Sequence, residues 1–138
     1  MIGVNRSVKN LNGKISCLLK GCDSVAIDIR QGDIIIIDFD PSLGHEQRGN
    51  RPALVVSNHD FTRLTQSLVK VVPISTTDNK YPLHIPVPDS LKVHGVVEAQ
   101  QETTLDLAAR RWRKVDHVPD NYLHQILDVI SETYESEQ

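Results

Sequence analysis

The sequence predicts a small, mainly β domain with α (an α+β class), in which short strands form a strongly bent sheet or barrel and one helix lies at the C-terminal end. Short apolar stretches recur at regular spacing between polar turns from residue 31 onward. One amphipathic stripe follows them. The 138 residues suffice for one domain with a modest core, and with only 4% aromatic residues that core must be mostly Val, Ile and Leu.

The strands are predicted from apolar runs that end at turn residues. The run 34–39 is predicted to be a buried strand that ends at Asp40-Pro41, because proline cannot donate to a strand ladder. A short helix is predicted over 59–66. Further strands are predicted over 52–57, 67–74, 83–87 and 96–105, the last bending midway, and around Val115.

The C-terminal helix is predicted from its start signal and its periodicity. Pro119 is tolerated in a first helical turn, and Asp120 places a negative charge where the helix dipole favours it. Apolar residues then recur at spacings of three and four: Leu123, Ile126, Leu127, Ile130 and Tyr134. They predict one buried stripe.

The N-terminal part differs from the rest, since it is rich in Asn, Ser, Lys and Gly. We interpret residues 1–30 as an extension, partly disordered at its start, and residues 31–138 as the domain. Alternation of Val25, Ile27 and Ile29 predicts a strand added at a sheet edge. Cys17 and Cys22 are interpreted as free thiols of a cytoplasmic protein. The alternatives are a disulfide or half of a metal site, although a zinc site needs four ligands and no matching second pair exists.

Composition excludes several function classes. A net charge of -3 excludes a globally basic nucleic-acid binder, although a local basic patch remains compatible with that role. No run approaches the roughly 18 apolar residues of a membrane span, and no apolar signal core follows the N-terminus. We therefore expect a cytoplasmic protein that does not bind membranes.

Polar groups concentrate in three places where the predicted strands end or are interrupted. The first is the loop and strand start with His45, Glu46, Gln47, Arg48 and Arg51; the second is Ser75, Thr76 and Thr77; the third is Glu98, Gln100 and Gln101. Antiparallel strands would bring the first two to one rim, where guanidinium and hydroxyl groups suit an anionic substrate. The alternative is a solvated loop, ordinary turn residues and, for Glu98 and Gln100, a shared solvent-facing strand side.

A basic cluster surrounds the single tryptophan. Arg110, Arg111, Arg113 and Lys114 flank Trp112. Such a cluster can hold single-stranded RNA, with charge on the backbone and the ring stacked on a base. The alternative is a solvated loop with Trp112 packed inward or at a dimer interface.

Residues 32–131 resemble the PemK/MazF family of bacterial toxin endoribonucleases, and most closely its PemK/Kid branch. The matching segments are GDIIIIDFDPSLGHEQRGNRPALVVS, VVPIST, HGVVEAQQETTLDL and VDHVPDNYLHQILDVIS. The resemblance implies an SH3-like, CcdB-type β-barrel that forms a homodimer. It also implies metal-independent cleavage of single-stranded RNA without a cofactor, by attack of a ribose 2′-hydroxyl on its phosphate, and neutralisation by a cognate MazE/PemI-like antitoxin.

The resemblance assigns roles to particular residues. Arg51 matches a catalytic arginine and would stabilise the phosphorane or act as acid, while Ser75 matches a catalytic threonine and would hold a non-bridging oxygen. His45 matches a histidine near the scissile phosphate, and it or Glu98 would handle protons. The implied RNA-binding residues are Glu46, Gln47, Arg48, Thr76, Thr77, Gln100, Gln101, Arg110, Arg111 and Trp112.

The chain departs from the Kid-type Arg-x-Asp-Gln pattern. Glu98 stands at the arginine position and Gln100 at the aspartate position. A neutral amide cannot take the 2′-hydroxyl proton as a carboxylate does. Two rival functions follow: a family member that binds RNA or antitoxin without cleavage, and a gyrase poison of the CcdB group. The Tyr134–Gln138 ending argues against the second, because the CcdB group is expected to use a terminal Trp-Gly-Ile.

Overall fold

The computed structural model describes residues 27–41, 43–46, 49–77 and 80–137. Strands β1 to β7 span Asp33–Asp38, Asn50–Val55, Leu68–Ser75, His84–Pro86, Val96–Glu98, Thr103–Asp106 and Trp112–His117. Helix α1 spans His59–Thr65, helix α2 spans Asp120–Glu132, and a 3-10 helix, Ala99–Gln101, separates β5 from β6. The predicted α+β class with its C-terminal helix is confirmed.

The strands form one antiparallel sheet in the order β4-β5-β3-β2-β1-β7. Strand β3 is the branch point, because along one edge it pairs with β6 in its first half and with β5 in its second half. Of the strands that the structure describes, β7 pairs only with β1. The sheet is therefore open, so the bent-sheet form of the prediction applies and the closed barrel does not.

The apolar run of β1 is buried because both faces of the sheet are covered. Ile34 packs with helix α2 and strands β3, β4 and β5 in one core cluster. Its neighbours Ile35 and Ile37 project to the other face, where they join Ala53, Val69, Val71, Leu105 and others in a second cluster. Strand alternation thus divides one continuous apolar sequence between two cores.

Both predicted helices are present. Asn58 caps α1, since its side-chain oxygen accepts a hydrogen bond from the Phe61 N–H at 2.9 Å. Helix α2 begins after Pro119 with Asp120 in its first turn, as predicted. Its buried residues are Tyr122, Leu123, Ile126 and Ile130. Placing Tyr134 in this stripe was wrong, because the helix ends at Glu132 and Tyr134 is 71% exposed.

The predicted edge strand near the N-terminus is not found where the structure can test it. Residues 27–30 have no strand pairing, although Ile29 is buried in the second core cluster. Val25, Cys17 and Cys22 lie outside the described residues. In the part of the chain that is described, no helix has the length and apolar character needed to cross a membrane.

Candidate active site

Arg51 and Ser75 lie at one rim of the sheet, on the adjacent strands β2 and β3. The pairing of β2 with β3 ends at Ala53, which lies opposite Pro73. Continued by two residues beyond that last pair, the same register would set Arg51 opposite Ser75. Residues directly opposite each other project to the same face of a sheet, with Cβ atoms about 4.5–5.5 Å apart. The two sequence-predicted catalytic residues therefore lie at the same end of β2 and β3, with Arg51 half-buried and Ser75 buried.

Hydrogen bonding and strand pairing fix the Ser75 side chain and backbone. Its Oγ accepts a hydrogen bond from the Thr77 N–H at 3.1 Å, which leaves the hydroxyl proton to donate elsewhere. Thr76 and Thr77 are both exposed beside it. Ser75 also pairs with Val96, the first residue of β5, so the rim continues onto the strand that carries Glu98.

Glu98 is buried and faces a histidine that the sequence analysis missed. It lies opposite His84 on β4, with Glu98 Oε2 3.5 Å from His84 Nε2. The interpretation of Glu98 as part of a solvent face was wrong, because it is only 8% exposed. The signal for His84 was the alternation of β4: Ile85 faces the first core cluster, so its neighbour projects to the face of Glu98.

Gln100 and Gln101 belong to the 3-10 helix and not to a strand. The predicted strand side shared by Glu98 and Gln100 was therefore wrong, because strand alternation stops at Glu98. The Gln100 side chain is exposed, yet its Nε2 lies 2.9 Å from His84 Nε2. Gln101 Nε2 donates to the His45 carbonyl at 3.1 Å, which ties the loop after β1 to this helix.

A cavity of about 340 Å³ lies between that loop and the 3-10 helix. Its walls include four of the predicted RNA-binding residues: Glu46, Gln100, Gln101 and Arg110. Glu46 Oε1 accepts a hydrogen bond from the Leu43 N–H at 2.7 Å, so this carboxylate stabilises the loop turn. His45 is exposed on the same loop, and Gln47 and Arg48 lie outside the described residues.

The basic cluster divides between structural contacts and exposed surface. Arg110 Nη1 donates to the carbonyls of Asp38 and Asp40, both at 2.7 Å, and so fastens the end of β1. Trp112 is half-buried and packs against the second core cluster. Arg111 is exposed. Of the three, only Arg110 lines the cavity.

The chain end reaches the same cavity through a hydrogen bond. The Tyr134 hydroxyl donates to Glu102 Oε2 at 2.8 Å, and Glu102 lines the cavity wall. This bond to a carboxylate raises the pKa of Tyr134. The segment after α2 is thus attached, through Tyr134, to the region that follows the 3-10 helix.

Comparison with known proteins identifies a family. A model described as PemK-like, MazF-like toxin of type II toxin–antitoxin system matches residues 30–134. The chain belongs to this PemK/MazF family. Endoribonuclease PemK of Escherichia coli is 33% identical over 109 residues, covering 75% of this chain and 80% of PemK. Endoribonuclease toxin ChpB of Escherichia coli strain K12 is 36% identical over 106 residues, covering 72% of this chain and 89% of ChpB.

Solved structures agree with this PemK/MazF assignment. MazF from Deinococcus radiodurans superposes with a TM-score of 0.71 at 31% identity, covering 80% of this chain and 97% of MazF. A chain of a MazE–MazF structure from the same organism superposes with a TM-score of 0.66 at 31% identity. The match covers 80% of this chain and 96% of that chain. The fold predicted from the family resemblance is therefore confirmed as the MazF fold, with an open sheet.

Proposed function

We propose that this PemK/MazF chain is the toxin of a type II toxin–antitoxin system, a metal-independent endoribonuclease that cuts single-stranded RNA at a short sequence. The observation that carries the proposal is the position of Arg51 and Ser75 at the same rim, on the adjacent strands β2 and β3, in a chain whose residues 30–134 match the family. A cation beside a hydroxyl donor suits a phosphodiester that gains charge in its transition state.

Arg51 and Ser75 stabilise the reacting phosphate. The 2′-hydroxyl oxygen attacks its own phosphorus, the bond to the 5′-oxygen breaks, and the products are a 2′,3′-cyclic phosphate and a 5′-hydroxyl. The planar guanidinium of Arg51 offers a fork of N–H donors to the phosphorane oxygens. Ser75 donates its hydroxyl proton to a non-bridging oxygen, while its own oxygen accepts from Thr77.

Glu98 and His45 transfer the protons of the reaction, from the 2′-hydroxyl and to the leaving 5′-oxygen. Glu98 carries the carboxylate nearest in register to Ser75, since Val96 lies opposite Ser75 and Glu98 projects to the same face two residues later. His45 is exposed on the loop whose carbonyl Gln101 binds. The Gln100 amide cannot serve as base. The general acid that protonates the leaving 5′-oxygen is His45 or, as the alternative, Arg51.

The RNA lies across the cavity wall and the exposed turn after β3. Its contacts are Glu46, Gln47, Arg48, Thr76, Thr77, Gln100, Gln101, Arg110, Arg111 and the accessible part of Trp112.

The protein works in the cytoplasm as a homodimer, and residues 1–30 form an extension to the domain 31–138. A MazE–MazF structure among its structural relatives supports neutralisation by an antitoxin of the MazE/PemI type.

The test is cleavage of a long single-stranded RNA by the purified protein in the presence of EDTA, with mapping of the product ends. We expect cuts at one short sequence that leave 5′-hydroxyl and cyclic phosphate ends. Binding of the RNA without cleavage by the folded protein would contradict the proposal. That result would favour the non-cleaving alternative, in which Glu98 and Gln100 have removed the chemistry.

A further inference from the structure

We infer that His84 is a positioning residue for RNA cleavage, which holds the Glu98 carboxylate and the Gln100 amide on the segment next to the strand that carries Ser75. The inference rests on the proposed function. A single atom of His84 contacts both residues, since its Nε2 lies 3.5 Å from Glu98 Oε2 and 2.9 Å from Gln100 Nε2. The two positions at which this chain departs from the Kid-type pattern therefore meet the same histidine.

Hydrogen-bond chemistry fixes how the three groups fit together. An ionised carboxylate only accepts, so a proton on Nε2 of His84 would let it donate to Glu98. Two nitrogens at 2.9 Å cannot both donate to each other. The ends of an amide have almost the same shape, so Gln100 turned by half a rotation presents its oxygen to the same N–H. His84 then donates to both Glu98 and Gln100.

Burial gives His84 an indirect role. Its side chain is 2% exposed, so it does not touch RNA. The Tyr81 ring packs edge-on against it with ring centroids 5.4 Å apart. A hydrogen bond to a charged group is stronger in such a low-dielectric place than in water. His84 therefore acts by fixing Glu98, and misplacement of a reacting group by about 1 Å costs about 100-fold in rate.

The first test is a double-mutant cycle of His84 and Glu98. It measures the cleavage of a short single-stranded RNA that contains the cleaved sequence. We expect His84→Ala to lower kcat about 10- to 100-fold with KM changed less than about twofold. His84→Gln, which retains an N–H donor, restores most of the rate. In a Glu98→Gln background the effect of His84→Ala falls below about threefold, because the group that it positions is gone.

Matched controls separate positioning from folding. His124→Gln, on the exposed face of α2, leaves kcat unchanged. Thermal unfolding identifies any variant that fails to fold, and His84→Gln is the variant that keeps the packing. An equal loss of kcat from His84→Ala in the wild-type and in the Glu98→Gln background would overturn the inference, since the two residues would then act independently.

The second test does not need activity. We expect ¹⁵N spectra of the imidazole rings to show His84 protonated at Nε2, with signals that move in Glu98→Gln. A ring protonated only at Nδ1, or His84 signals whose positions do not change in Glu98→Gln, would overturn the inference. Wild-type protein that cleaves no RNA would contradict the proposed function, while the ring spectrum would still decide whether His84 holds Glu98.

Discussion

Gly95 packs against the backbone of Ser75 so closely that a side chain does not fit. Its φ is +129°, a conformation that residues with a Cβ rarely adopt. A Cβ at this position would lie 2.2 Å from the Ser75 carbonyl oxygen. The turn before β5 therefore sets the distance between β5 and the strand end that carries the proposed catalytic hydroxyl.

Gly95→Ala should therefore lower both stability and cleavage. Backbone strain at such a position costs about 1–3 kcal/mol, and the contact with the Ser75 carbonyl adds to it. Chemical unfolding measures the first effect and the RNA cleavage rate measures the second. The control is Gly44→Ala, since Gly44 also has a positive φ, +61°, but no atom lies within 4 Å of its added Cβ. Equal losses from the two variants would contradict the packing argument.

Asp116 attaches the turn after β4 to strand β7. Its Oδ2 accepts a hydrogen bond from the Lys92 N–H at 2.8 Å, and its Oδ1 accepts one from the His117 N–H at 2.9 Å. These two backbone donors, Lys92 first, lower the pKa of Asp116. A carboxyl group whose pKa is lowered on folding adds stability above its unfolded pKa of about 3.9. That contribution disappears as the pH falls through the lowered value.

Asp116→Asn should therefore destabilise the protein most at neutral pH. Asp116 is half-buried at the surface, where solvent weakens such interactions, so we expect a loss below about 1 kcal/mol at pH 7. The difference in melting temperature from wild type should narrow as the pH falls below about 4. Asp128→Asn, on the exposed face of α2, is the control. A difference that stays constant from neutral pH down to a pH of about 2.5 would contradict this account of Asp116.

At the scale of elements, the periodicity of α2 was the most reliable signal in the sequence. It correctly predicted the burial of Leu123, Ile126 and Ile130, because a helix packed on a sheet must bury one stripe. It failed at Tyr134, where spacing continues but the helix does not. Spacing cannot report where the helix stops contacting the sheet, and Tyr134 bonds instead to Glu102.

Ile126→Ala should destabilise the protein by about 2–5 kcal/mol, because it leaves a cavity in the first core cluster. Ile126 is fully buried there. The free energy of unfolding in denaturant measures the loss. Gln125→Ala, its exposed neighbour on the same helix, should change that free energy by less than about 0.5 kcal/mol. Similar values for the two variants would mean that α2 does not pack as described.

The stretch 96–105 shows which contacts the spacing of apolar residues along the chain cannot predict. The apolar residues of 96–105 predicted one strand that bends midway, and the single strand was wrong: β5 and β6 are separate strands with the 3-10 helix between them. The pattern did not reveal that Glu98 turns inward to His84 while Gln100 faces out. That outcome depends on β4, which comes from another part of the chain and supplies the partner.

At the scale of the whole molecule, two core clusters lie on opposite faces of one sheet, and the proposed site lies at the rim where strands β2, β3 and β5 begin or end. The fold class followed from apolar spacing, because spacing records which faces are buried. The placement of Arg51 and Ser75 at one rim followed from the antiparallel pairing of their strands. The His84 contact required a register between β4 and β5 that no local pattern specifies.

In the proposed mechanism, Arg51 is the cation that stabilises the cleaved phosphate. The most direct test is the single-turnover rate of RNA cleavage in EDTA for wild type, Arg51→Ala and Arg63→Ala, an arginine on α1 paired with Asp60. We expect Arg51→Ala to lower the rate at least about 100-fold, because it removes a transition-state donor, and Arg63→Ala to leave it unchanged. Folded Arg51→Ala that cleaves as fast as wild type would contradict the account.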